Sequence, residues 1–188
     1  MKEKDPNKIP AIFQATLELV GETGLAGLKM AAIAKKAHIA SGTLYLYFAS
    51  KEELLNALYR HLKSQHSFLS EPAPDLPIKS RLKTMWEASL RHRLDHFNEA
   101  LFTEQMHFSS YLSQESKEVS NTVMQGLIQL LDRGKRELIV KDVDNALLLA
   151  LLLGFLKETV ALCRAHQLDL SRDLLETSFA LCWDAIKA

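Results

Sequence analysis

The segment GTLYLYF, Gly42 to Phe48, sets a small residue, a hydroxylated residue and two tyrosines within seven positions, with Ser41 before it and Lys51 shortly after. On a helix, such residues suit close contact with a grooved polyanion. Gly42 lets the backbone approach a groove floor, and Thr43 offers a hydroxyl and a methyl to base edges, the methyl suiting thymine. The phenols of Tyr45 and Tyr47 extend to phosphate oxygens. Lys51 falls in the first turn of the next helix, where its ammonium and the open amides together favour an anion. Leu44 and Phe48, four apart, supply the inward face that holds the segment on a core.

Charge distribution agrees with that chemistry although the chain of 188 residues is neutral overall. Residues 1–63 carry nine Lys/Arg against six Asp/Glu, and the remainder 14 against 17. From Thr23 to Lys51 there are four lysines (Lys29, Lys35, Lys36 and Lys51) and no acid, in a chain that is 24% charged. An acid-free stretch of this kind is what a surface facing phosphates requires, and it adds Lys29 and Lys36 to the expected contacts.

Other chemistries find less support. No Ser-His-Asp grouping and no glycine-rich phosphate loop is visible, which argues against an enzyme. His92 and His96 share a helix face, but no third ligand stands at metal spacing. Cys163 and Cys182 lack CxxC spacing and read as buried, reduced thiols of a cytoplasmic protein. The charged start MKEKDPNK is not a signal peptide. Ala146 to Leu156 is apolar on nearly all sides for 11 residues, too few for a membrane span of roughly 20. It reads as a helix buried between partners. No metal, cofactor or membrane partner is expected.

The elements that must position these residues are all helical. Seven Gly and five Pro leave long apolar-periodic stretches between them, with no strand alternation. Helices are expected over 8–22, ended by Gly24, then 30–37 and 41–47, with the turn His38-Ile39-Ala40 between the last two. Ser50-Lys51-Glu52-Glu53 is a capping box that opens a longer helix. Residues 71–78 (EPAPDLPI) hold three of the five prolines and read as a boundary. Five more helices follow, near 78–97, 99–110, 115–134, 142–166 and 171–187, with Asp142 and Ser171 as N-caps. The fold class is all-α, with about nine helices.

Residues 24 to 58 resemble the TetR family of bacterial one-component transcriptional regulators. The resemblance rests on Gly24, Ile33-Ala34, Ala37, Gly42-Thr43-Leu44-Tyr45, Phe48 and Ser50-Lys51-Glu52-Glu53-Leu54. It implies a DNA-binding helix-turn-helix domain over residues 1–50 and an effector-binding, dimerising domain over 51–188. It further implies base-edge contacts from Gly42 and Thr43, phosphate contacts from Tyr45, Tyr47 and Lys51, and sequence reading at the variable Ser41. Three positions depart from the family pattern. Leu28-Lys29 replaces the usual threonine cap, so a phosphate contact passes to Lys29. His38 stands where glycine usually starts the turn, and His is among the residues enriched at positive φ. Ala40 replaces the usual serine cap, leaving Ser41 to cap one residue later.

In the second domain, large soft side chains gather in two consecutive helices. By the resemblance they line an effector pocket suited to an apolar or aromatic ligand. The expected set is Trp86, Leu90, Phe102, Met106 and Tyr111, with Arg93, His96, Gln105 and His107 orienting the ligand. Leu148, Leu152, Phe155, Leu175, Cys182 and Ile186 on the last two helices are expected to form a homodimer bundle. Such a dimer would meet palindromic operator DNA, with half-sites roughly 34–36 Å apart. The reading that follows is a repressor released by a small effector. A regulator without small ligand, controlled by a protein partner or by abundance, is the alternative.

Overall fold

Ile12, Thr16 and Val20 repeat every fourth residue and line the buried side of the first helix, α1 (Lys8–Gly27). Its path breaks at Gly24, whose φ of 67° and ψ of 173° lie in a region essentially confined to glycine. Helical torsions then resume to Gly27, a turn past the expected end. The computed structural model describes residues 8–65 and 76–188. Among these, eight further helices follow: α2 (Met30–Lys36), α3 (Ser41–Tyr47), α4 (Lys51–Ser64), α5 (Ile78–Asp95), α6 (Phe97–His107), α7 (Gln114–Arg136), α8 (Asn145–Arg164) and α9 (Arg172–Ile186).

Local chemistry explains the boundaries. His38 adopts φ 55° and ends α2, with its amide donating to Lys35 O at 3.2 Å and that of Ile39 to Ala34 O at 2.9 Å. These two bonds are the Schellman pattern, here built around histidine instead of glycine. Ala40 is the N-cap of α3 and no side chain caps it; Ser41 is the first helical residue instead of a cap. At α4, Ser50 Oγ accepts from Glu53 N at 3.0 Å, while Glu53 Oε2 accepts from Ala49 N at 2.7 Å, one residue earlier than in a capping box. Ser171 caps α9 as expected, but α8 is capped by Asp144, not Asp142. Of the proline-rich boundary, residues 71–75 lie outside the described residues, and Pro77 is the N-cap of α5.

Two compact units result. Of the described residues, the first joins 8–65 with 97–121, so α6 and the start of α7 pack with the N-terminal helices. Its core gathers Ile12, Leu17, Val20, Ile33, Leu44, Leu54, Leu58, Phe102 and Met106. The expected domain boundary at residue 50 is therefore not a packing boundary: α4 lies inside this unit, and its Leu54, Leu55, Leu58 and Tyr59 are fully buried.

The second unit contains α5, the later part of α7, α8 and α9. Here α5 packs on both α8 and α9, which also pack on each other. Trp86 Nε1 donates to Ser178 Oγ at 3.0 Å, and the Trp86 ring stacks on Phe155 at 5.8 Å. Burial pushes the Cys182 thiol up to about 11. The residues expected at a dimer face lie mostly inward. Leu148, Leu152, Leu175, Cys182 and Ile186 are buried inside the protomer, and Phe155 is half-buried against Trp86. The leucines left outside are Leu147, Leu151, Leu153 and Leu162 on α8 and Leu181 on α9. The physical reason is that α8 is apolar around most of its circumference, so hydrophobicity does not mark which side turns inward. By length and composition alone α8 qualifies as a membrane span. Its inward side, with Leu148, Leu152, Leu156 and Val160 buried, packs in the second unit beside α5 and α9.

Candidate nucleic-acid interface

The short helices α2 and α3 are each held by two buried residues: Ile33 and Ala34 from α2, Leu44 and Tyr47 from α3. Leu28 and Phe48, just outside the helices, complete the seat. This leaves Ser41, Gly42, Tyr45 and Leu46 on the outward face of α3, at the i, i+1, i+4, i+5 spacing of a helix surface. Tyr45 is 52% and Leu46 54% exposed. Around Gly42 a side-chain carbon would meet no atom within 4 Å. The protein itself therefore has no use for the missing side chain there.

Other expected contacts are placed differently. Thr43 is half-buried, so Leu46 is the larger apolar group available on the outward face. Tyr47, expected at a phosphate, is turned into the core at 8% exposure. Its side chain follows Leu44 and Phe48 around the inward side, which a reading of phenol chemistry alone does not reveal. Lys29 is the N-cap of α2 and, like Lys35, is exposed. Lys36 is ion-paired to Glu22 at 2.7 Å and Glu18 at 3.0 Å, both on α1. These hydrogen bonds, to Glu22 first and then Glu18, raise its pKa. Glu18 is correspondingly held below the usual carboxylate range, by Gln14 first and then Lys36. The acid-free stretch of sequence is thus met by acids from α1 in space.

Lys51 sits at the start of α4, half-buried. Its Nζ donates to Leu25 O at 2.6 Å and lies 4.9 Å from the Tyr111 ring centroid. Gln105, expected at an effector, accepts from Leu25 N at 3.1 Å. Both backbone groups of Leu25 are therefore held by side chains, one from α4 and one from α6. Asn56, which the sequence reading did not single out, is 4% exposed. It donates to Glu52 O and Tyr111 O and accepts from Ser113 N, all within 2.9 Å. A polar residue among the leucines of α4 was the available signal.

The remaining effector candidates divide between the units. In the second, Trp86 and Leu90 are buried, Arg93 is half-exposed, and His96 lies with its ring 4.7 Å from that of His92. In the first, Phe102 and Met106 are completely buried in the core, Tyr111 lies against Lys51, and His107 is exposed, edge-on to Phe108. Among the described residues, no three His, Cys, Asp or Glu side chains are grouped to hold a metal ion.

A helix-turn-helix with an outward reading face, carried in an all-helical chain, defines the class of DNA-binding transcriptional regulators. Residues 12–58 match the family described as "Bacterial regulatory proteins, tetR family", and residues 59–188 match "Tetracyclin repressor-like, C-terminal domain". The chain belongs to the TetR family of transcriptional regulators, which are not enzymes. A curated relative, the fatty acid metabolism regulator protein of Bacillus subtilis, is 29% identical over 170 residues, covering 85% of this chain and 84% of its own. A TetR family transcription regulator from Marinobacter aquaeolei superposes with a TM-score of 0.89 at 24% identity, covering 100% of this chain and 99% of its own. The transcriptional regulator FadR from Bacillus subtilis, solved in complex with stearoyl-CoA, gives a TM-score of 0.69 at 24% identity over 92% of this chain and 96% of its own.

Proposed function

We propose that this chain is a homodimeric, cytoplasmic repressor that reads a palindromic operator through α3 and releases it when a long-chain acyl ligand binds the C-terminal domain. The observation that carries the DNA half is the outward face of α3, where Gly42 leaves bare backbone and no protein neighbour. Lys29 and Lys35 stand exposed on the neighbouring α2 segment to meet phosphates, with Ser41, Tyr45 and the half-buried Thr43 on α3.

The dimer is supported by the leucines that α8 and α9 leave outside, since exposed apolar surface of this extent marks an interaction site. Two copies joined along these helices present two reading helices to one face of the duplex, which is why the operator should be a palindrome. The acyl ligand is supported by the relative named for fatty acid metabolism and by FadR with stearoyl-CoA. In the second unit Trp86 and Leu90 supply apolar surface of the kind an acyl chain requires. Release is a population shift: the ligand must prefer a conformer whose two reading helices no longer match successive major grooves.

The test is a titration of the protein onto duplex DNA flanking its own gene, with and without stearoyl-CoA. Sequence-selective binding that is lost on adding the thioester is expected. An operator complex indifferent to stearoyl-CoA and to free fatty acids would return the chain to a regulator governed by a protein partner or by abundance.

A further inference from the structure

We propose that Leu46 is a specificity-determining residue that reads the C5-methyl group of a thymine in the operator half-site. The inference rests on the reading of α3 as the groove helix. Leu46 is 54% exposed on a helix whose other leucine, Leu44, is completely buried. Nothing in the first unit needs Leu46 for packing, because Leu44, Tyr47 and Phe48 already fill the inward side.

Its position makes it a reader. Leu46 is four residues after Gly42, so the two share one stripe of α3. The bare backbone at Gly42 allows the helix to seat deeply on the side from which Leu46 projects. Four residues at 1.5 Å each set the Leu46 backbone about 6 Å further along the axis, roughly two base-pair steps at 3.4 Å. Ser41 and Leu46 therefore address different base pairs. An aliphatic side chain has no hydrogen bond to offer, and the one apolar group on the major-groove edge of a base pair is the thymine methyl. Thr43, the other methyl-bearing residue of the helix, is half-buried and less able to reach it. Phosphates are excluded as its partner, since a leucine would desolvate them without return.

The experiment replaces thymine by deoxyuridine, which removes only the methyl. An operator is first selected from a randomised duplex library with the wild-type protein, and each thymine is then substituted in turn in both half-sites. One symmetric position should lose affinity by about fourfold per half-site, the equivalent of one buried carbon. Leu46→Ala, at an exposed position, should keep the thermal midpoint, bind the thymine operator more weakly and lose the deoxyuridine effect at that position alone. If deoxyuridine is tolerated everywhere, or if Leu46→Ala keeps the full penalty at the same thymine, the inference is overturned while α3 remains the groove helix. If the wild-type protein selects no sequence at all, the reading of α3 falls and this inference with it.

Discussion

Lys51 Nζ donates to the backbone carbonyl of Leu25 across 2.6 Å, so the first residue of α4 grips α1 just beyond its break at Gly24. Gln105 of α6 holds the amide of the same residue. The end of α1, the helix on which α2 packs, is thereby fastened to α4 and α6 at one residue.

Replacing Lys51 by Met should therefore destabilise the protein by about 1–2 kcal/mol, the range for a partly exposed charged hydrogen bond with an aromatic face beneath it. Chemical denaturation measures this. An ammonium has three hydrogens, and Leu25 uses one. Operator titrations across salt should also show a slope flattened by about 0.9 per protomer if another reaches a phosphate. A wild-type slope would confine Lys51 to Leu25.

Asn56→Leu should be more damaging. The substitution strands Tyr111 O and Ser113 N, which Asn56 now satisfies at 2.8 and 2.9 Å. Leaving these partly buried backbone groups without their partner is expected to lower stability by about 1–3 kcal/mol. Urea denaturation should show the midpoint falling while the slope stays constant.

His38→Gly should act in the opposite direction. His38 is exposed and holds φ 55°, torsions that strain any side chain bearing a Cβ. Glycine relieves that strain but loses more backbone entropy on folding, leaving a net gain of roughly 0.5–1 kcal/mol. A rise in thermal midpoint with unchanged operator preference is the expected result.

Leu147→Glu separates the dimer from the fold. Leu147 is 66% exposed in the protomer, whereas Leu152, five residues on, is 8% exposed. Sedimentation of Leu147→Glu should show folded monomers with greatly weakened operator binding. Leu152→Glu should instead unfold the second unit. Dimers that survive Leu147→Glu and Leu151→Glu together would place the interface elsewhere.

The contrast between α3 and α8 shows where sequence is legible. The turn before α3 and the start of α4 are set by residues within a few positions of one another, so His38 and Ser50 announce them, whereas α3 begins at Ser41 with no side-chain cap. Lys36 is different: its partners Glu18 and Glu22 lie 18 and 14 residues away, and only the packing of α1 on α2 brings them together. Tyr47 was misleading because a phenol suits both a phosphate and a core. Which leucines of α8 turn inward was not legible because a helix of leucines carries no phase. The junction of α6 with the first unit was hidden because its long-range partners leave no local mark; Gln105 finds Leu25 across 80 residues.

Gly24 has a consequence for how this sequence can drift. Its nearest neighbour, Gln105 Oε1, would sit 3.6 Å from an added Cβ, an ordinary contact, so there is room for a side chain. The torsions forbid one all the same. In a library substituting every position in turn, site 24 should therefore behave as intolerant as a core leucine, with alanine no gentler than valine.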